Sequence, residues 1–86
     1  MLSASDCAEI REALAGKATN YRYSQVARWL RRADWMEHGS GSSHRTWRSP
    51  AGTRQPMVDG GGGTLLPVYV KRAARAILED GGCDGR

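Results

Sequence analysis

The chain has 86 residues, 40% of them hydrophobic, with three Trp and three Tyr but no Phe. That supply fills one modest core and excludes two full domains, because a domain this small buries only about 60–65% of the surface its unfolded chain exposes. Thirteen basic residues against nine acidic ones leave a formal charge of +4, which points to an anionic partner; the chain also lacks the ~20-residue apolar run of a membrane span and a charged, then apolar, N-terminal leader, so a cytoplasmic protein is expected.

Residues 4 to 15 read as a short peripheral helix. Ser3 caps it together with Asp6, while Cys7, Ile10 and Leu14 share one face and Gly16 stops it. Cys7 and Cys83 lie near opposite ends and form no CxxC pair, so the spacing suggests neither a zinc site nor a disulfide framework, and reduced thiols are expected. After a connector from Lys17 to Tyr23, Ser24 caps a second helix in which Val26, Trp29, Leu30 and Ala33 recur at helical spacing. Arg28, Arg31 and Arg32 occupy its other face, open to solvent or phosphate. Between Arg22 and Arg54 seven arginines stand against two acids, Asp34 and Glu37; the planar guanidinium fork matches phosphate oxygens.

From Trp35 onward the helical period gives way to β-formers separated by Gly, Ser and Pro. Strands are expected at Trp35 to His38, Ser43 to Arg48 and Thr53 to Val58 as an antiparallel meander, with Pro56 marking the third as an edge or bulged strand. Gly60 to Gly63 reads as a mobile loop. Pro67 then opens a last helix with a buried stripe of Val70, Ala73, Ala74, Ile77 and Leu78; Lys71, Arg72 and Arg75 lie off the stripe, and Gly81 or Gly82 ends the helix. The expected fold is α+β, a three-stranded antiparallel sheet packed on helices, in one domain over residues 1–86: an N-terminal helical extension over 1–18 and a core over 19–80. Without the extension the order is α-β-β-β-α, that of double-stranded RNA-binding domains, although order alone is shared by unrelated folds.

Alternation along the second strand sets Ser43, Arg45 and Trp47 on one face and His44, Thr46 and Arg48 on the other. Trp47 is the bulkiest apolar group of the strand and belongs to the core, so His44 and Arg48 project outward together. An imidazole beside a guanidinium on an open sheet suits a phosphodiester. His38, the other histidine of the chain, sits near the end of the first strand and reads as a surface residue that assists only if the turn folds back.

Ser43-His44-Arg45-Thr46-Trp47-Arg48-Ser49-Pro50, followed by Gly52, resembles the Gly-Ser-His-(His/Arg)-x-aromatic-x-His-Pro-x-Gly signature of the HicA/YcfA family. Asn20-Tyr21-Arg22-Tyr23, the Val26 to Ala33 helix, the Gly-rich turn and Leu66-Pro67-Val68-Tyr69-Val70-Lys71 follow in the order that family shows. Three positions depart from it: Ser42 replaces a Gly, Ser49 replaces the His before Pro50, and Met57-Val58-Asp59 lacks a Pro-x-His. The resemblance spans roughly residues 20 to 80. It implies a dsRBD-like toxin that cleaves messenger RNA and is neutralised by a HicB-like antitoxin, with His44 as catalytic residue and Ser43, Arg45, Arg48, Arg54 and Lys71 as RNA contacts. An imidazole with a reference pKa of ~6.5 can take the proton of a ribose 2′-OH, and Arg45 or Arg48 can stabilise the phosphoryl oxygens. That chemistry calls for no metal and no cofactor. The alternative is a non-catalytic dsRBD-like module that binds RNA by shape and backbone contacts; a helix-turn-helix DNA reader fits less well, since the basic helix has no evident turn partner.

Overall fold

The structure is a computed structural model that describes residues 2–39, 44–58 and 63–83. Its elements are α1 (Ala4–Ala15), α2 (Tyr23–Arg32), β1 (Met36–Gly39), β2 (His44–Arg48), β3 (Arg54–Val58) and α3 (Pro67–Glu79). The strands form one antiparallel sheet in the order β1-β2-β3. Pro56 therefore lies in an edge strand, where its missing N–H costs least.

Each helix ends where local chemistry ends it. Ser3 and Asp6 form a capping box on α1: the Ser3 hydroxyl accepts from the Asp6 amide at 3.1 Å, and the Asp6 carboxylate accepts from the Ser3 amide at 3.0 Å. In α2 the cap is Arg22 rather than Ser24, and Gln25 Oε1 accepts from the Arg22 amide at 3.0 Å. The helix closes through Asp34, whose φ of +68° lets the Asp34 and Trp35 amides reach the carbonyls of Arg31 and Leu30. Pro67 starts α3, and Gly81, at φ +81°, ends it. Between them, Leu65 donates to the Tyr21 carbonyl and Tyr23 to that of Gly63, which ties the start of α3 to the start of α2.

Trp29, Leu30, Val26, Trp47, Met57, Val70, Ala73, Ala74 and Ile77 form the core between helices and sheet. The expectation of a peripheral first helix does not hold. Ile10 and Ala13 are fully buried in the same core, α1 packs against α3, and the Asp6 carboxylate is buried beneath two arginines of α2. The expectation of reduced thiols is corrected too: Cys7 and Cys83 are disulfide-bonded, their Cα atoms 5.7 Å apart across 76 residues of sequence. Spacing gives no sign of this pair, because it is the docking of α1 on α3 that brings the two ends together.

Candidate nucleic-acid interface

Two faces of the sheet have opposite characters. On the helical side Trp47 and Met57 are buried, with Glu37, Arg45 and Gln55 beside them. On the other side Met36, His38, Arg48, Arg54 and Pro56 are exposed. The alternation expected from Trp47 is thus observed for Arg45, Trp47 and Arg48.

Register fixes how the open face is populated. Met36, Arg48 and Arg54 lie side by side across the three strands, and the next row is His38, Thr46 and Pro56. His44 opens β2 opposite Val58, two residues before Thr46. Its backbone position is described and its side chain is not. Ser43 lies outside the described residues. Among the described residues no ion pair engages Arg48 or Arg54, so two adjacent guanidiniums point their charge outward. Beside them opens a cleft of about 260 Å³ lined by Asp34, Met36, His38, Arg48, Ser49 and Pro50. Ser49, which stands where the resembled signature has His, is buried and closes the β2–β3 turn: its hydroxyl accepts from the Thr53 amide at 3.0 Å.

Most of the other mid-chain arginines are occupied within the fold. Arg28 pairs with Glu9 at 2.9 Å and Arg32 with Asp6 at 2.9 Å. Burial pushes the Asp6 carboxyl up, but the Ser3 amide and the Arg32 guanidinium outweigh it and hold the group below the usual carboxylate range. Arg31 and Arg45 both reach Glu37, at 3.4 and 3.0 Å. Arg45 also lies over the Tyr23 ring, so it sits on the helical side, across the sheet from Arg48. Tyr23 donates to Glu37 at 2.5 Å and accepts from Trp47 Nε1 at 3.1 Å. That phenol bond, then Arg45 and Arg31, keep the Glu37 carboxyl low, while burial and Glu37 together push the Tyr23 hydroxyl up to about 12. This network fastens α2 to β1 and β2. Lys71 belongs to α3, which packs on the sheet through β3 on the helical side, and the structure does not bring it into the Arg48–Arg54 row.

Sequence reasoning set Thr46 on the open face without giving it a role, left out the cleft, and set His38 aside. The signal for His38 was present: Trp35 and Trp47 are both core residues, so residues an odd number of positions from each, His38 and His44 among them, fall on the opposite face by alternation. Among the described residues no group of three or more His, Cys, Asp or Glu could hold a metal ion, and no helix is long and apolar enough to cross a membrane. Compared with protein-family models, with curated proteins and with solved structures, the chain matches none of them.

Proposed function

We propose that the chain is an RNA-binding endoribonuclease, the toxin half of a HicAB-type toxin–antitoxin pair, with a dsRBD-like core that cleaves messenger RNA through His44. The observation that carries this reading is the open sheet face, where the His44 position runs into Thr46 and Arg48 and where Arg48 and Arg54 stand free of ion pairs among the described residues. Acids of the fold take up Arg28, Arg31, Arg32 and Arg45, which leaves Arg48 and Arg54 as the sheet's two arginines without an ion pair among the described residues. In the reaction His44 takes the 2′-OH proton, the 2′-oxygen attacks phosphorus, and Arg48 stabilises the charge on the phosphoryl oxygens. A HicB-like antitoxin neutralises the chain by covering the same face with acidic groups.

Purified protein, incubated with messenger RNA in the presence of a chelator, should release fragments ending in 2′,3′-cyclic phosphate. His44→Ala should lower the rate by about 10²–10⁴ while RNA binding persists, and expression of wild type alone should arrest bacterial growth. Unimpaired cleavage by His44→Ala overturns the mechanism. Binding without any cleavage by wild type makes the chain a non-catalytic RNA-binding module.

A further inference from the structure

Thr46 occupies the centre of the open face, with His38 directly across from it on β1 and with His44 and Arg48 two residues away on either side along β2. In an antiparallel pair, directly opposed Cβ atoms are about 4.5–5.5 Å apart and diagonal neighbours about 7–8 Å; residues two apart on one strand are about 6.5–7 Å apart. The two histidine positions are such diagonal neighbours. A phosphodiester lying over Thr46 would therefore have an imidazole position on each of two sides and a guanidinium on a third. Two hydrogen bonds and the width of one phosphate fill a diagonal of that size. His38 and Arg48 also share the wall of the 260 Å³ cleft, so whatever enters it meets both.

Resting on the ribonuclease reading above, we infer that His38 is a second catalytic residue, the acid that protonates the leaving 5′-oxygen, and that the adjoining cleft receives the nucleotide on the leaving side. The 2′-O–H proton passes to His44 as the bond from the 2′-oxygen to phosphorus forms. The bond from phosphorus to the 5′-oxygen breaks with its electron pair going to that oxygen, which takes a proton from His38. The products are a 2′,3′-cyclic phosphate and a 5′-hydroxyl, and exchange with water restores both imidazoles. Met36 and Pro50 give the cleft apolar walls for a base. Asp34, the acid on its rim, accepts from a base amino group rather than meeting phosphate.

The test compares wild type, His38→Ala and His44→Ala on one RNA and on the same RNA with a bridging sulfur replacing the 5′-oxygen at the cleaved linkage, a leaving group that departs without a proton. His38 is exposed, so His38→Ala should keep the wild-type melting temperature. It should cleave the ordinary RNA about 10²–10⁴ times more slowly yet cleave the sulfur-bridged RNA within about tenfold of wild type, whereas His44→Ala should fail on both. Cleavage of ordinary RNA by His38→Ala within a few-fold of wild type overturns the inference, as does equal loss on both substrates. If wild type cleaves neither RNA, the ribonuclease reading itself fails, and the assignment of His38 falls with it.

Discussion

Replacing Arg48 or Arg54 by alanine removes a guanidinium that no described carboxylate engages, whereas replacing Arg45 withdraws a cation from the Glu37–Tyr23–Trp47 network. The three substitutions should therefore separate. Arg48→Ala and Arg54→Ala should weaken RNA binding and each flatten the dependence of log affinity on log salt by about 0.7, the share of one phosphate on a single strand, with stability within about 0.5 kcal/mol of wild type. Arg45→Ala should leave the salt slope unchanged and cost about 1 kcal/mol of stability, the usual worth of one partly exposed hydrogen-bonded contact. Fluorescence anisotropy over a salt series, with urea melts of the same proteins, reads both. Which face Arg45 and Arg48 occupy was legible from alternation around Trp47; the face of Arg54 follows only from its register opposite Arg48. Which arginines are neutralised was not, since Asp6 and Glu9 reach Arg28 and Arg32 only after α1 has docked, and Glu37 gathers Arg31 and Arg45 only once β1 lies between α2 and β2.

Elements with a strong local signal were easiest to read. Capping Ser3, Pro67 at the start of α3, Gly81 at its end, and a buried stripe at helical spacing in α2 and α3 all act within a turn or two of chain, so the sequence carries them directly. Strand register, which carries the candidate site, depends on a turn whose geometry residue types alone leave open; the sequence therefore showed His38 and His44 as parts of two strands and not as neighbours on one surface. The role of α1 was hidden for a similar reason. Its Asp6 is at once a cap for its own helix and the anion under Arg28 and Arg32, and only the first use is local. Asp6→Asn should therefore cost about 1–3 kcal/mol, the penalty for removing one partner of a buried polar pair, rather than the smaller loss of a cap alone. Because the Asp6 carboxyl is held low in the folded state, its contribution is fully present above the unfolded value near pH 4 and is lost as pH falls through the folded value. Glu37 acts in the same direction. Urea melts from pH 6 to pH 3 should show stability falling at the acid end for wild type and falling less steeply for Asp6→Asn.

At the scale of the whole molecule, the Cys7–Cys83 bond closes nearly the entire chain into one loop. In the chain-entropy account, a cross-link over a loop of this length stabilises by up to about 4.5 kcal/mol at 25 °C, and 2–4 kcal/mol is typical. Reduction, or Cys7→Ser with Cys83→Ser, should lower the urea midpoint accordingly without changing the far-ultraviolet spectrum, because Ile10, Ala13 and the Asp6 ion pairs still dock α1. Full stability in the doubly substituted protein would show that the cross-link contributes nothing to the fold. The bond also changes how the molecule answers force. The segment between Cys7 and Cys83 has no free end from which to unravel, so an oxidised molecule pulled from either side of that segment carries the load through a single sulfur bridge while the sheet and the helices inside the loop stay slack. Reduced, the same molecule bears the load through its core and, on yielding, lengthens by roughly 250 Å, the extended span of the residues between Cys7 and Cys83.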